Sequence, residues 1–136
     1  MKTQTFEPLF DGNWKSPWVG FVYEVTEIST GKLYIGKKHF YSKKTLPGKT
    51  NKTRVESDWK TYATSNKYLK PAIKKNPDNY SFRILYLCRD DSILSYLENK
   101  EMMERGALES DKFYNGNLKM NVMSTYVDFD SRFLKI

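Results

Sequence analysis

The sequence predicts an α+β fold: a small three-stranded antiparallel sheet flanked by helices. Three observations carry this. Residues 19–28 and 32–38 form a hairpin closed by Ser29-Thr30-Gly31-Lys32, a turn whose glycine suits positive φ. Tyr80 to Cys88 alternates Phe82, Ile84 and Tyr86 against Ser81, Arg83 and Leu85, the period-two pattern of a third strand. Asp90-Asp91-Ser92 then precedes Ile93, Leu94 and Leu97, which share one face of a helix over about 91–105.

The other elements follow in order. Residues 1–18 form an irregular arm with turn signals at Asp11-Gly12-Asn13 and Ser16-Pro17, pinned by Trp14 and Trp18. The polar, basic run 43–55 holds a Pro-Gly pair and reads as a mobile loop. A helix starts at Ser57 or Asp58 and carries Trp59, Tyr62 and Ala63. Thr64-Ser65-Asn66 interrupts it and caps a short helix over 67–75, with Leu69, Ala72 and Ile73 inward. Asn76-Pro77-Asp78-Asn79 ends that helix, and Tyr114-Asn115-Gly116-Asn117 is a turn. The last twenty residues hold short apolar patches, Leu118 to Val122 and Tyr126 to Phe129, of no assigned form.

The 136 residues suit one domain, with a core over 19–116. One cysteine, Cys88, excludes an internal disulfide and fits a reducing cytoplasm, where it reads as a small buried hydrophobe. One histidine and one cysteine cannot assemble an ordinary zinc site. With no basic-then-apolar leader and no run of 18 apolar residues, no membrane role is expected.

The net charge is +7, and its placement is more informative than its sum. Residues 37–75 hold twelve Lys and Arg against only Glu56 and Asp58, so the rest of the chain is slightly acidic. A basic stretch on an acidic body fits a polyanion partner, and aromatic residues interleave the lysines. The nucleic-acid contacts expected here are Lys37, His39, Lys43, Lys44, Lys49, Lys52, Arg54, Trp59, Lys60 and Lys67. His39 reads either as a general base or as a structural or phosphate-contacting imidazole.

Two phenols stand on neighbouring strands of the first hairpin, in Phe21-Val22-Tyr23 and Tyr34-Ile35-Gly36, with ten residues between the tyrosines. Strand alternation puts Tyr34, Gly36 and Lys38 on one face, a phenol, a gap and an ammonium in line. Glu98 lies at the edge of the apolar helix face, one turn after Leu94 and one before Met102. A half-buried carboxylate there suits a hard divalent cation such as Mg²⁺ with mostly water as its other ligands.

This pattern resembles the paired motif of the GIY-YIG endonucleases. Phe21-Val22-Tyr23 keeps the tyrosine but lacks the Gly-Ile before it, and Tyr34-Ile35-Gly36 matches in full. Glu98 and Asn115 follow in the family's order. Tyr-Ile-Gly-Lys-Lys at 34–38, Glu-Ser-Asp-Trp-Lys-Thr-Tyr at 56–62 and Phe-Tyr-Asn at 113–115 look most like small stand-alone bacteriophage members. The resemblance implies a metal-dependent DNA endonuclease. In it Tyr23 activates water, Glu98 holds one Mg²⁺ (or Mn²⁺), and Tyr34 and Asn115 orient the site. The family places an Arg on its first helix with His or Tyr one turn later; here Tyr62 suits the later position, but Asp58 stands at the earlier one. Lys38 is the first choice for the missing cation, followed by Lys60 and Lys44. The resemblance implies nicking of one strand per active site with weak sequence preference, as a monomer or homodimer. The alternative is a non-catalytic nucleic-acid-binding module that keeps the fold.

Overall fold

The computed structural model describes residues 5–6, 9–10, 17–116 and 128–136. In chain order the elements are β1 (Gly20–Glu27), β2 (Leu33–His39), β3 (Tyr41–Thr45), β4 (Lys52–Glu56), α1 (Leu69–Lys75), β5 (Tyr80–Cys88), α2 (Asp91–Glu104) and β6 (Phe133–Lys135). Four of the strands form an antiparallel sheet in the order β2-β1-β5-β6. The expected three strands are all present, and the fourth, β6, comes from the chain's end. Three residues are too few to announce a strand by alternation; β6 forms because β5 offers it an edge. Arg132 fixes its approach by donating from Nε to Asp90 Oδ2 (2.8 Å).

The first hairpin forms as its turn residues dictate. Gly31 has φ +76°, and its N–H donates to the Glu27 carbonyl (2.8 Å). Asp90 caps α2, accepting from the Ile93 N–H (2.8 Å). Asn66 does the same for the start of α1, accepting from the Tyr68 and Leu69 N–H groups (2.9 Å each).

Two local expectations fail. Residues 43–55 are largely a β-hairpin, because β3 and β4 pair in full register, from Tyr41 opposite Glu56 to Thr45 opposite Lys52. No helix forms at 57–63. A single turn, closed from the Tyr62 N–H to the Asp58 carbonyl (2.9 Å), is all that exists there. The Ser57 hydroxyl bonds the His39 carbonyl (2.7 Å), and this segment is tied to the sheet instead of continuing as a helix.

The sheet is buried on both faces. Phe21, Tyr23, Val25, Ile84 and Leu87 face an aromatic layer with Phe6, Phe40 and Trp59, under Leu69 and Ile73 of α1. Val22, Ile35, Leu85, Tyr86 and Cys88 face Ile93, Leu94 and Leu97 of α2. Strict alternation would put Tyr86 with Phe82 and Ile84. A β-bulge between the Val22–Tyr86 and Tyr23–Ile84 pairs inserts Leu85 and turns Tyr86 to the helix side. Cys88 is fully buried, as expected. The arm is held by Phe6, whose ring centroid lies 4.9 Å from that of Phe21 and 5.1 Å from that of Tyr23. Trp18 packs against the same layer, whereas Trp14 and the patch at 118–122 lie outside the described residues. Among the described residues, no helix is long and apolar enough to cross a membrane.

Candidate active site

Strand β2 is an edge of the main sheet, and an open cleft of about 1400 Å³ wraps around it. Both faces of the strand reach this cleft. Tyr34 and Lys38 enter from the aromatic side and Lys37 and His39 from the helix side, with Glu98, Tyr62 and Asn115 also on its wall.

On the aromatic side, Tyr34, Gly36 and Lys38 share one face, as alternation requires. The gap at Gly36 is not open to a ligand. Gly36 stands opposite Tyr23, and a Cβ there would run into the Tyr23 phenol. The glycine exists because the Tyr23 ring lies across it. Tyr23 is 0% exposed, and its oxygen meets the Tyr62 oxygen at 3.2 Å. Burial pushes its pKa well above the ordinary phenol value, and the neighbouring Tyr62 and Tyr34 push it further. This departs from the water-activating role that the resemblance implies for Tyr23. Tyr23 is sealed behind Tyr62, which borders the cleft. Tyr34 shares a hydrogen bond with Ser65 Oγ (3.4 Å), and burial also raises its pKa.

Lys38 Nζ lies 4.3 Å from the centroid of the Tyr62 ring and donates to Asp58 Oδ1 (2.6 Å). That contact, as a hydrogen bond and ion pair, holds the Asp58 carboxyl below its usual pKa. The acidic residue that stands in place of the expected arginine therefore binds the lysine nearest the phenols. Twenty residues separate the two, and no sequence signal linked them. Of the other candidate cations, Lys44 borders the cleft, whereas Lys60 pairs with Glu56 (3.7 Å).

On the helix side, Glu98 is partly buried at the rim of the helix core, as its spacing indicated. Burial raises its pKa to about 7, and the Lys37 ammonium opposes the shift. Lys37 itself donates to Ser95 Oγ (2.5 Å). Among the described residues, no group of three His, Cys, Asp or Glu side chains could cage a metal. Glu98, with Asp58 and Glu56 also bordering the cleft but engaged by Lys38 and by Trp59 and Lys60, fits a hard cation that keeps most of its water, and does not fit a fully protein-ligated ion.

Asn115 is used as a clamp. Its Oδ1 accepts from the Ile35 N–H (3.0 Å), and its Nδ2 donates to the Ile35 carbonyl (2.7 Å). The side-chain amide thus satisfies both backbone groups on the open edge of β2, between Tyr34 and Gly36. Leu33 extends the clamp through backbone bonds with Lys112 and Tyr114 (2.8 Å each). The Tyr114 hydroxyl donates to Glu27 Oε1 (3.0 Å), and its ring stacks on the exposed Tyr68 (5.3 Å).

The expected nucleic-acid contacts divide sharply. Lys37, His39, Lys44 and Lys67 border the cleft, and Lys43, Lys49, Lys52 and Arg54 are exposed on the second hairpin. Trp59 does not belong with them. It is 1% exposed, packed edge-on to Phe40 at 5.0 Å, with its indole N–H donating to Glu56 Oε2 (2.9 Å). No ring face is left for a base to stack on. His39 bonds Asp91 Oδ1 (2.8 Å) at the start of α2.

Residues 4–118 match the family model described as "Putative endonuclease segE, GIY-YIG domain". The match spans most of the chain and includes every candidate residue above. The chain belongs to the GIY-YIG endonuclease family. Neither a curated protein nor a solved structure matches it significantly.

Proposed function

We propose that this protein is a metal-dependent endonuclease that hydrolyses phosphodiester bonds of DNA, nicking one strand per active site. The carrying observation is that three groups meet at the cleft around β2: Tyr62 with Tyr23 hydrogen-bonded behind it, Lys38, and Glu98. Hydrolysis needs an activated water, stabilisation of negative charge on the phosphate, and a leaving 3′ oxygen.

Of the Tyr23–Tyr62 pair, Tyr62 is the phenol that borders the cleft. Having lost its own proton to solvent, its oxygen takes a proton from the attacking water as the water oxygen bonds phosphorus, and the P–O3′ bond breaks with the 3′ oxygen taking a proton from solvent. Tyr23, whose raised pKa keeps its own proton in place, donates a hydrogen bond to Tyr62 and steadies the negative charge. Lys38 stands over the Tyr62 ring, where its ammonium favours the same charge. A phosphate entering the cleft competes with Asp58 for Lys38. Tyr34 and Asn115 fix the geometry of the edge strand. Mg²⁺ (or Mn²⁺) held at Glu98 would supply Lewis-acid stabilisation of the phosphate. This assignment moves the water-facing role suggested for Tyr23 by resemblance onto Tyr62, with Tyr23 behind it.

Supercoiled plasmid incubated with the protein and Mg²⁺ is expected to become nicked, with no nicking in EDTA. Glu98→Ala should abolish nicking and retain DNA binding. Tyr62→Phe is expected to lower the nicking rate about 100-fold or more, the scale of a lost general base, and Tyr23→Phe about tenfold. Activity should rise with pH above neutrality; a profile flat from about pH 6 to 9 removes tyrosine as the base.

The Lys38–Asp58 pair favours a second reading, because it neutralises the cation nearest the phenols. A non-catalytic DNA-binding module would show salt-sensitive binding and no cleavage under any divalent metal.

A further inference from the structure

The second hairpin is built in a way that folding alone does not explain. β3 and β4 form a two-stranded sheet of their own, apart from the main sheet, and most of their residues are exposed. A two-stranded ribbon is marginal in water, so its cross-strand pairs decide whether it holds. Here one of them, at the middle of the ladder, opposes it. The register puts Lys43 directly opposite Arg54, and the next pair on that face is Thr45 with Lys52. Like charges facing across a ladder are destabilising. Among the described residues, no acid forms an ion pair with Lys43, Lys44, Lys49, Lys52 or Arg54. The ribbon's single acid, Glu56, lies at the root, engaged by Trp59 and Lys60.

The root is firmly placed and the tip is well defined. Tyr41, Ser42 and Lys44 border the cleft, and the Ser57 N–H bonds the Phe40 carbonyl (2.9 Å) to close the base. At the tip, Pro47-Gly48 makes a turn with Gly48 at φ +77° and the Lys49 N–H on the Leu46 carbonyl (3.0 Å). On the ribbon face, the Arg54 guanidinium lies 4.0 Å from the centroid of the Tyr41 ring, and the His39 ring meets Tyr41 edge-on at 5.5 Å. Arg54 is thus held by an aromatic platform, with no carboxylate among the described residues on its hydrogen-bonding fork.

We propose that the β3–β4 ribbon enters the major groove of duplex DNA beside the cut, with Arg54 reading a guanine and Lys43, Lys44 and Lys52 holding the phosphates of the groove walls. This rests on the nuclease reading for the position of the cut. The major groove of B-DNA, about 12 Å wide, admits a two-stranded ribbon, and arginine on guanine O6 and N7 is its commonest specific contact. Five residues per strand at about 3.4 Å each reach roughly 17 Å, or about five base pairs along one side of the scissile bond. Apart from Tyr41 and Val55 near its root, both faces of the ribbon are polar, as insertion between two phosphate walls requires. The deep, narrow major groove of A-form RNA excludes such a ribbon.

The test is a binding selection from randomised duplex DNA in EDTA, so that no cleavage intervenes, using the wild-type chain, Arg54→Ala and Lys43→Ala/Lys52→Ala, each checked for fold by circular dichroism. The wild-type chain is expected to enrich a short motif containing a guanine, and 7-deazaguanine at that position should erase the preference. Arg54→Ala should lose the guanine while binding random duplex within about threefold of wild type. The double lysine variant should keep the motif, weaken all sequences alike, and flatten the log–log salt slope by about two. Duplex RNA should compete poorly. The proposal is overturned if the wild-type chain enriches nothing, if Arg54→Ala weakens all sequences equally, or if duplex RNA competes as well as DNA. Failure of the plasmid assay would remove the nuclease reading and leave this selection's outcome unchanged, and the converse also holds.

Discussion

Two ionisable groups stand on opposite sides of the same sheet edge, and burial acts on both in the same direction. Tyr23 on the aromatic side and Glu98 on the helix side each have a raised pKa, with loss of solvent the largest cause. The results differ. Glu98 rises only to about 7, because its surroundings are partly open and Lys37 opposes the shift, so it is charged in mildly alkaline solution. Tyr23 is fully enclosed, its phenol neighbours add to the shift, and it stays protonated. Desolvation thus leaves one residue able to carry charge and keeps the other in its protonated form. In the proposed reaction, the helix side supplies charge stabilisation and proton transfer on the aromatic side runs through Tyr62, which borders the cleft.

The sharpest way to break this comparison is Glu98→Gln, which keeps the shape and removes the charge. Nicking should fall about 1000-fold or more, on the scale of losing a catalytic electrostatic contact, as measured on supercoiled plasmid. A variant retaining a tenth of the activity would show that the helix side is not where the essential charge sits.

The aromatic side is tested by Gly36→Ala, which sets a methyl against the Tyr23 phenol. Overpacking of this kind costs about 1–3 kcal/mol, read as a lower midpoint in urea unfolding. An unchanged midpoint would mean that the Tyr23 ring moves easily and is not the rigid donor described here.

The pH dependence of stability separates the two sides again. A carboxyl whose folded pKa is raised makes no contribution below its unfolded pKa of about 4.5, then costs increasing stability as pH rises toward 7. In EDTA, Glu98→Gln is therefore expected to match wild type at pH 4 and to exceed it at pH 8 by on the order of 2 kcal/mol, followed by thermal unfolding at both pH values. An equal gain at both would assign the effect to packing. The smallest effect belongs to Asp58→Asn, which releases Lys38. DNA should bind severalfold more tightly at about 50 mM salt, with the advantage shrinking by 200 mM, as followed by fluorescence anisotropy.

The local elements were largely legible. Period-two alternation marked β5, a glycine turn marked the first hairpin, and Asp90 and Asn66 each capped the helix assigned to it. Signals failed where local composition was ambiguous. Residues 43–55 lack an apolar face and pair through backbone alone, so alternation could not show them as strands. Ser57 and Asp58 are good cap residues, yet Ser57 bonds the sheet and Asp58 serves Lys38. The order of Tyr23, Tyr34, Glu98 and Asn115 was readable because family membership is written in order and spacing.

The α+β class, the paired tyrosines, the rim position of Glu98 and the concentration of positive charge in residues 37–75 are all set by local sequence. These depend on periodicity, capping and composition, which act over a few residues at a time. Tertiary structure alone decided that Trp59 is core and not a stacking platform, that Tyr23 is sealed while Tyr62 reaches the cleft, that Asp58 holds Lys38, and that Asn115 clamps the backbone of Ile35. Each of those outcomes joins residues far apart in the chain. Solvent exclusion and charge pairing depend on the neighbours that folding assembles in space.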